Sequence, residues 1–331
     1  MDPSSVRTER EKIAAHITEN AETTLRIVIN KECTLRCRWC YKEGLEHEKK
    51  KPELSTRTFR RAIRAAYDAG FRKVNFTGGE PLMFPELIDV VEQADSLGMK
   101  SYVTTNGTVL AGIDWDRWKK LRHNEFHVTL NAIDSDDFSD ICGQDLAANV
   151  LKGVDFLLEH KIPMKFNTVV SSDEDWPRIA KILDYVAGKK VAVKLLGVHD
   201  AGSVSPMSQA DVARMVVKRG GEHVRTSEGV DNNFGYDQYS INGALVHVLN
   251  MVYGGGCCDR FKNGLCGEGI RYPRLVYNGE IKPCLHVTTS KISDESKKEE
   301  IIEKLYDAKM YIRGLSKHPY KIESYRHGGN T

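Results

Sequence analysis

Residues 33–40 of the chain read CTLRCRWC, so three cysteines (Cys33, Cys37 and Cys40) fall within eight residues. Thiolates bind soft metals, and iron–sulfur clusters are held mostly by cysteine thiolates. A cluster of four irons that is held by three cysteines has one iron open to a small molecule. This stretch therefore predicts a metal centre whose chemistry goes beyond carrying electrons.

A structural zinc site is the alternative interpretation of these cysteines, and it would make the protein a scaffold without catalysis. Zinc sites commonly combine two Cys-x-x-Cys pairs. The single group at residues 33–40 favours an iron–sulfur cluster over zinc.

The composition is that of a soluble globular protein, with 40% hydrophobic and 28% charged residues among 331. Its 48 basic and 46 acidic residues give a net charge of +2, so there is no global signature of nucleic-acid or membrane binding. No run approaches the ~20 apolar residues of a membrane span, and residues 1–12 lack the apolar segment of a signal peptide. We therefore expect a cytoplasmic protein, in which the clustering among its eight cysteines indicates metal or redox chemistry.

Strands and helices alternate along the first two thirds of the sequence. The β-branched run at residues 25–30 predicts the first strand, and the cysteines follow it directly. Further strands are predicted at residues 71–77, 100–105, 126–131, 164–170 and 191–196. Apolar residues at helical spacing predict helices at residues 55–69, 85–97, 114–121, 146–160, 175–187 and 208–219.

This alternation predicts an α/β fold with a parallel sheet and right-handed crossovers. Six strand–helix units are two short of a closed eight-stranded barrel, so we expect a partial (β/α)6 TIM-like barrel over residues 25–220. We expect an N-terminal arm at residues 1–24 and a C-terminal extension at residues 221–331, with an amphipathic helix at residues 294–313. Active sites of such folds lie at the C-terminal edge of the strands, which is where the cysteines fall.

Gly78, Gly79 and Glu80 follow the second predicted strand, at the same edge as the cysteines. Two glycines let the backbone approach a ligand closely, and the carboxylate of Glu80 can accept hydrogen bonds from an ammonium group. Alternatively, the glycines form a turn before the helix that begins near Pro85.

Together these motifs resemble the radical S-adenosylmethionine (SAM) superfamily. In that superfamily three cysteines hold a [4Fe–4S] cluster whose open iron binds the amino and carboxylate groups of SAM. The reduced cluster cleaves SAM to methionine and a 5′-deoxyadenosyl radical. The resemblance implies that Cys33, Cys37 and Cys40 are the catalytic cluster ligands. It also implies a set of SAM-binding residues at the ends of the next three strands, namely Gly78, Gly79, Glu80, Thr104, Thr105, Asn106 and Thr129. For the residues of the third and fourth strands, ordinary strand-end packing and turns are the alternative.

A second group of cysteines has a spacing that resembles the auxiliary-cluster motif of radical enzymes. The resemblance implies a second, auxiliary [4Fe–4S] cluster held by Cys258, Cys266 and Cys284, with Cys257 as the alternative to Cys258. Otherwise these are free buried thiols. Cys142 stands alone in the sequence and is interpreted as structural.

Four segments resemble the GTP 3′,8-cyclases, which make the first cyclic intermediate of molybdenum cofactor. They are residues 76–82 (FTGGEPL), 104–108 (TTNGT), 165–170 (KFNTVV) and 279–285 (GEIKPCL). The pair Gly328-Gly329 near the end of the chain is similar to the family's Gly-Gly tail. The resemblance implies a radical lyase that abstracts a ribose hydrogen from a nucleotide triphosphate, with an external electron donor and with neither a nucleic-acid polymer nor a membrane as partner. The chain departs from the family at Asn75, where a basic residue is common, and in the seven residues that separate Cys258 from Cys266.

Lys73, Lys165 and Lys194 lie on three predicted strands. An inward-facing lysine on a strand is costly unless an anion pairs with it, and a triphosphate would supply that anion. The cyclase resemblance implies that these lysines, together with Arg271 and Arg274, bind the substrate. Alternatively each lysine extends to solvent. A radical SAM enzyme acting on a peptide, sugar or antibiotic precursor is the alternative to a nucleotide enzyme.

Overall fold

The computed structural model describes residues 23–40, 42, 53–198, 207–227, 235–250, 272–283 and 287–312. Within these ranges twelve strands pair into one sheet. The strands are β1 (Thr23–Val28), β2 (Phe71–Thr77), β3 (Lys100–Thr105), β4 (Asn124–Thr129), β5 (Met164–Val170), β6 (Ala192–Gly197), β7 (Glu222–Ser227), β8 (Gly235–Ile241), β9 (Ala244–Asn250), β10 (Arg274–Val276), β11 (Glu280–Lys282) and β12 (Ser290–Lys291). The α-helices in the same ranges are α1 (Thr56–Asp68), α2 (Leu87–Ser96), α3 (Trp115–Trp118), α4 (Ser135–Cys142), α5 (Ala147–Glu159), α6 (Trp176–Val186), α7 (Gln209–Lys218) and α8 (Lys298–Ile312).

The sheet has a parallel centre and antiparallel margins. β1 to β6 lie side by side in chain order, and β10 and β9 extend this parallel block at its two ends. Antiparallel strands then follow, with β11 and β12 beyond β10 and with β8 and β7 beyond β9. Among the described residues no pairing joins β12 to β7, so the sheet is open. The predicted α/β class and partial, open barrel are therefore confirmed.

One face of the sheet is apolar and packs against the helices. Val74, Phe76, Val103, Phe126 and Val128 point to this face from β2, β3 and β4, and each is 0% exposed. They belong to one buried cluster that also contains the apolar stripe of α1. Complete burial of side chains of this size stabilises the fold by about 1.5–3 kcal/mol each. The apolar face therefore holds the strands in place, and the opposite face is left for chemistry.

The boundaries of α1 follow from its flanking residues. The hydroxyl of Ser55 accepts a hydrogen bond from the backbone N–H of Thr58 at the start of the helix. Gly70, with φ of 87°, follows the last turn in a left-handed conformation that glycine adopts without strain. The predicted start and stop of this helix are confirmed.

The predicted amphipathic helix near the end of the chain corresponds to α8, which packs on α1. Ile301, Leu305 and Ala308 are 0% exposed, as the pattern of apolar residues predicts. On the exposed side, Lys298 Nζ lies 2.9 Å from the carboxylate of Asp68 at the end of α1. The C-terminal segment is thus anchored to the first helix of the barrel.

Strands that follow residue 220 join the same sheet as the six predicted barrel strands. β8 and β9 are connected by a tight turn in which Asn242 and Gly243 have φ of 50° and 79°. This Asn-Gly pair is a strong hairpin signal. The division of the chain at residue 220 stays a prediction, and most of the predicted N-terminal arm lies outside the described residues. None of the helices in the described ranges is long and apolar enough to cross a membrane.

Candidate active site

The three predicted cluster ligands lie on residues 29–40, which we call the cysteine loop. It leaves the C-terminal end of β1 and lies against the loop that follows β2. Backbone hydrogen bonds join the two loops, from Ile29 N–H to Thr77 O (2.9 Å), from Gly79 N–H to Asn30 O (3.2 Å) and from Glu80 N–H to Glu32 O (2.6 Å). The structure thus brings the cysteines and the Gly78-Gly79-Glu80 motif together at one edge of the sheet.

The two glycines make this contact possible. A Cβ atom on Gly79 would lie 2.1 Å from the carbonyl oxygen of Glu32, and one on Gly78 would lie 2.3 Å from Oδ1 of Asn30. Both distances are far shorter than the non-bonded contacts that a Cβ atom can make. The close approach predicted for a ligand is therefore made, in this structure, by the cysteine loop itself. A role of the glycines in binding SAM stays a prediction.

Glu80 is the buried acid of this edge, at 0% exposure. Its Oε1 accepts hydrogen bonds from the Leu82 N–H (3.0 Å) and the Thr105 hydroxyl (2.7 Å), and its Oε2 accepts one from the Asn106 N–H (2.7 Å). Burial raises the pKa of Glu80 to about 7, although these three donors favour the ionised form. A carboxylate has about four acceptor positions, so the three donors leave room for one more.

Asn106 reaches from the end of β3 to the cysteine loop. Its Nδ2 donates to Thr34 Oγ1 at 3.0 Å and lies 3.5 Å from the sulfur of Cys33. The Leu35 N–H, 3.4 Å away, also donates to this sulfur. The loop after β3 is held in turn by Thr108, whose N–H donates to Asn106 Oδ1 at 2.9 Å. One predicted SAM-binding residue therefore touches one predicted cluster ligand.

The other two cysteines lie in a turn, in which the Cys40 N–H donates to Cys37 O at 3.0 Å. Cys33 and Cys40 are exposed, whereas Cys37 is half-buried and packs against the core. The backbone around Cys37 lies against the C-terminal end of α4, because the N–H groups of Arg36 and Arg38 donate to Cys142 O (2.9 Å) and Ile141 O (3.1 Å). This contact was not predictable from sequence, because the two segments are far apart along the chain.

The donor set fits a cluster better than a single ion. In the part of the chain that the structure describes, no three His, Cys, Asp or Glu side chains converge on a position that could hold one metal ion. A four-iron cluster is larger, and its thiolate ligands spread around it. Three thiols on one loop, two of them exposed, provide such ligands for three irons and leave the fourth open. Cys33, Cys37 and Cys40 would therefore hold the cluster.

Alternate residues of β2–β6 form the second face of the sheet, which we call the polar face. Its members are Lys73, Asn75, Tyr102, Thr104, Glu125, His127, Thr129, Lys165, Asn167 and Lys194. Strand pairing places Thr129, Asn167 and Lys194 side by side, with His247 of β9 next in the row. Arg26 pairs in register with both Asn75 and Arg274, so the two arginines extend the polar face on its other side. Three predicted substrate lysines and Arg274 therefore share one face.

Glu125 is the acid at the centre of the polar face, and the sequence analysis missed it. Its Oε1 lies 3.0 Å from Lys165 Nζ and 3.0 Å from Nε2 of His127. Burial alone would raise the pKa of Glu125, but the hydrogen bond from His127 and the charge of Lys165 outweigh burial and lower it to about 2. Burial also lowers the pKa of His127 to about 4, so the imidazole is neutral at pH 7 and donates from Nε2. Polar residues alternate with apolar ones through β4, and that pattern was the available signal.

Lys194 differs from Lys165 because no acidic side chain among the described residues forms an ion pair with it. Within the described part of the chain Lys194 makes no hydrogen bond or ion pair. Burial, followed by the charge of Lys165 and then that of Arg26, lowers the pKa of Lys194 to about 8, while Glu125 opposes the shift. The side-chain oxygen of Asn167, its neighbour on β5, is buried and has no hydrogen-bond partner in the described ranges. A cation and an acceptor are thus available side by side for a ligand.

Several predicted site residues lie outside the described ranges. They are Cys257, Cys258, Cys266 and Cys284 of the second cysteine group, Arg271 and the pair Gly328-Gly329. Arg274 is described and is 7% exposed. The auxiliary cluster therefore stays a prediction.

A family model described as the radical SAM superfamily matches residues 27–186. A GTP 3′,8-cyclase of Actinobacillus pleuropneumoniae is 30% identical over 193 residues, which is 56% of this chain and 56% of that protein. A probable GTP 3′,8-cyclase of Pyrococcus abyssi is 32% identical over 163 residues, 47% of this chain and 52% of that protein. The chain thus spans about half the length of these two curated relatives. A probable GTP 3′,8-cyclase of Sulfurisphaera tokodaii is 22% identical over 91% of this chain and 96% of its own length.

Solved structures share the fold at lower identity. Streptococcus suis SuiB bound to the precursor peptide SuiA matches with a TM-score of 0.64 and 17% identity, covering 96% of this chain and 72% of SuiB. The protein anSMEcpe with bound AdoMet matches with a TM-score of 0.56 and 13% identity, covering 86% of this chain and 83% of that protein. The family match begins in β1, contains the cysteine loop and Glu80, and ends at the last residue of α6. Residues 27–186 of this chain therefore match the radical SAM superfamily of enzymes.

Proposed function

We propose that the protein binds a [4Fe–4S] cluster through Cys33, Cys37 and Cys40 and cleaves SAM to act on a nucleotide triphosphate, in a reaction like that of the GTP 3′,8-cyclases. When bound, the cluster supplies the electron that splits SAM into methionine and a 5′-deoxyadenosyl radical. The match to the superfamily and the names of the curated relatives support this proposal.

The chain's own residues would position SAM beside the cysteine loop. Glu80 has an acceptor position to spare after its three hydrogen bonds, which suits the ammonium group of SAM. Asn106 joins the cysteine loop to the end of β3, so the cluster ligands and the SAM-binding residues would be held as one unit. Thr129 stands beside Asn167 and Lys194, where SAM and substrate would meet.

The observation that carries the substrate assignment is the set of basic residues around Lys194. Lys165 has Glu125 as its partner, whereas Lys194 has no acidic partner among the described residues. Unpaired positive charge that is withdrawn from water is costly, and an anionic ligand removes that cost. We therefore assign Lys194, with Lys73, Lys165 and Arg274, to the phosphates of the substrate. Arg271 would add to them from outside the described ranges.

We also propose a second, auxiliary [4Fe–4S] cluster held by Cys266, Cys284 and Cys258 or Cys257, near the substrate base. The reaction would draw its electrons from an external donor. A measurement of iron tests this part, because two clusters require about eight irons per chain. Four irons would refute the auxiliary cluster and leave the first one in place.

The substrate is tested by incubating the protein without oxygen with SAM, a reductant and GTP, and identifying the products by mass spectrometry. We expect 5′-deoxyadenosine together with a rearranged nucleotide. GTP should bind at least about tenfold more weakly to Lys194→Ala, because a charge-assisted contact is lost. Lys218→Ala is the matched control, since its side chain is 71% exposed on α7 and loses the same charge.

Two outcomes would contradict the proposal at different levels. If 5′-deoxyadenosine forms but GTP neither binds nor reacts, the radical chemistry stands and the substrate is a peptide, sugar or antibiotic precursor instead. If the protein binds zinc and no iron, the alternative of a zinc scaffold is correct.

A further inference from the structure

The polar face continues beyond β6 onto the antiparallel margin of the sheet. His247 of β9 is in register with Lys194 of β6. Gln238 of β8 is in register with His247, and Arg225 of β7 with Gln238. His247 and Gln238 are each 8% exposed. A ligand at Lys194 would therefore lie next to a row of buried polar groups from the strands that follow the six predicted ones.

The side-chain amide of Gln238 has one possible orientation in this row. Nε of Arg225 donates a hydrogen bond to Oε1 of Gln238 at 3.1 Å. A guanidinium group has donors and no acceptor, so the amide must turn its oxygen, and not its nitrogen, towards Arg225. The same oxygen lies 3.3 Å from Nε2 of His247. Because an amide oxygen only accepts, Nε2 carries the hydrogen of the imidazole ring.

The imidazole of His247 therefore has its lone pair on Nδ1. Burial, followed by the nearby charges of Lys165 and Lys194, lowers the pKa of His247 to about 4, so the ring is neutral at pH 7. The two ring nitrogens lie on opposite sides of the ring, and β9 lies between β8 and β6. Since Nε2 faces Gln238 on β8, Nδ1 faces the β6 side. Within the described ranges Nδ1 makes no hydrogen bond.

Lys194 thus has a hydrogen-bond acceptor on each side. On the β5 side it is in register with Asn167, whose side-chain oxygen is buried and has no hydrogen-bond partner in the described ranges. On the β9 side lies Nδ1 of His247. Neighbouring strands are about 4.8 Å apart, so one ligand can contact all three groups. An ionised phosphate has only acceptor oxygens, so it would satisfy Lys194 and leave both acceptors without a donor.

We propose that His247 is a specificity residue, which accepts a hydrogen bond from a ribose hydroxyl of the nucleotide beside the phosphate that Lys194 binds. This inference rests on the proposed nucleotide substrate. A hydroxyl is the donor that a nucleotide offers next to its phosphates, because the ribose separates the phosphates from the N–H groups of the base. Gln238 is a positioning residue, since its oxygen keeps the hydrogen on Nε2 and hence the acceptor on Nδ1. Ribonucleotides should therefore bind better than nucleotides that lack this hydroxyl.

The test is calorimetry of the full-length protein, reconstituted without oxygen, with GTP, 2′-deoxyGTP and 3′-deoxyGTP. At least one deoxy analogue should bind to the wild type about fivefold more weakly than GTP, as the loss of one hydrogen bond of about 1 kcal/mol implies. His247→Phe removes the acceptor and keeps a ring to stack on Tyr236, whose centroid is 4.1 Å from that of His247. In this variant GTP should bind as weakly as the analogue.

His223→Phe is the matched control, because His223 of β7 contacts Thr226 at 3.1 Å and its side chain is 49% exposed. It should keep the wild-type difference between GTP and the analogue. If His247→Phe does not fold, His247→Gln keeps a donor for Gln238 but has no acceptor in the place of Nδ1. It should lose the difference in the same way.

A second measurement needs no ligand. Heteronuclear NMR of protein with isotope-labelled histidines distinguishes the ring nitrogen that carries hydrogen from the one that has the lone pair. The signals of His247 are those that are absent from His247→Phe, and we expect them to show hydrogen on Nε2.

Three results would overturn the role of His247 while leaving the nucleotide substrate in place. They are hydrogen on Nδ1, equal binding of GTP and both deoxy analogues to the wild type, and a wild-type difference in the His247 variant that folds. An equal loss of the difference in His223→Phe would also overturn it. A wild-type protein that does not bind GTP would instead refute the proposed substrate, and this role with it.

Discussion

The carboxylate of Glu80 accepts a 2.7 Å hydrogen bond from the backbone N–H of Asn106, and so a fully buried acid connects the loop after β2 to the loop after β3. Asn106 in turn donates to Thr34 of the cysteine loop. Three loops that begin on three neighbouring strands are therefore joined through two side chains. A substitution of Glu80 or Asn106 should therefore change the position of the cysteines, even though neither residue would bind iron.

Glu80→Gln should flatten the pH dependence of stability. Burial raises the pKa of Glu80 to about 7 from 4.5, so between these two pH values the folded state holds a proton that the unfolded state has lost. Stability therefore falls as the pH rises from 4.5 to 7, by about 3 kcal/mol in total. The free energy of unfolding, measured by denaturant titration at pH 5 and pH 8, should differ less in the variant than in the wild type. Glu174→Gln, at an exposed acid, should keep the wild-type difference. An equal difference in Glu80→Gln would contradict the prediction.

Thr105→Val should weaken the binding of SAM and lower stability by about 1–3 kcal/mol. The Thr105 hydroxyl donates to Glu80 at 2.7 Å and accepts from the Gly107 N–H at 3.0 Å, so the substitution leaves two buried groups without this partner. Calorimetry of SAM binding to the reconstituted protein measures the first effect and thermal unfolding the second. Thr168→Val is the control, since Thr168 is also buried but donates to Leu130 O, just beyond β4, and not to Glu80. It should lose stability without losing affinity for SAM, and a similar loss of affinity in both variants would argue against a specific role for Thr105.

Gly79→Ala should prevent the cysteine loop from taking its position. The added Cβ atom would lie 2.1 Å from Glu32 O and 2.5 Å from Lys31 O, and both are backbone atoms that cannot rotate away. We expect a loss of about 3 kcal/mol in stability and a lower iron content after reconstitution. Gly112→Ala makes the same change where no atom lies within 4 Å, so its iron content should equal that of the wild type. Full iron content in Gly79→Ala would show that the cysteine loop can move away from β2 without losing the cluster.

His127→Gln should make the protein less sensitive to acid. Burial lowers the pKa of His127 to about 4 from 6.5, so between these pH values the unfolded state binds a proton that the folded state does not. Stability therefore falls as the pH decreases from 6.5 to 4, by about 3 kcal/mol in total. Denaturant titrations at pH 7 and pH 5 should show a smaller difference in the variant. His160→Gln, at an exposed histidine, should behave as the wild type. If His127→Gln shows the wild-type difference, another group is responsible for the acid sensitivity.

The strands and helices around the parallel centre of the sheet could be predicted from the sequence, because residues within and next to each element mark its bounds. Phe71–Thr77, Lys100–Thr105 and Met164–Val170 are strands with the predicted bounds, since β-branched and apolar residues end at glycine or turn residues. The capping hydroxyl of Ser208 likewise marked the start of α7. The edge at which the cysteines and Glu80 meet followed from the parallel topology alone.

The contacts that make one candidate site residue different from another could not be predicted from the sequence. The ion pair of Lys165 with Glu125 depends on the register of β4 and β5, and a shift of one residue would send Glu125 to the other face. The contact between the end of α4 and the cysteine loop depends on where the helix ends, and Ser135–Cys142 has too few apolar residues to predict a helix. Lys165 and Lys194 look equivalent in the sequence, but among the described residues of the folded protein only Lys165 has an acidic partner.

The pairing of β10 with β1 has a consequence for the order in which the protein can fold. Arg26 lies opposite Arg274, so β1 acquires its second neighbour only after residues 274–276 have left the ribosome. Until then β1 is an edge strand with unpaired N–H and C=O groups, a state that invites pairing with other chains. The cysteine loop begins at the end of this same strand. During synthesis, the cysteine loop thus follows a strand that stays unpaired on one side until β10 has been made.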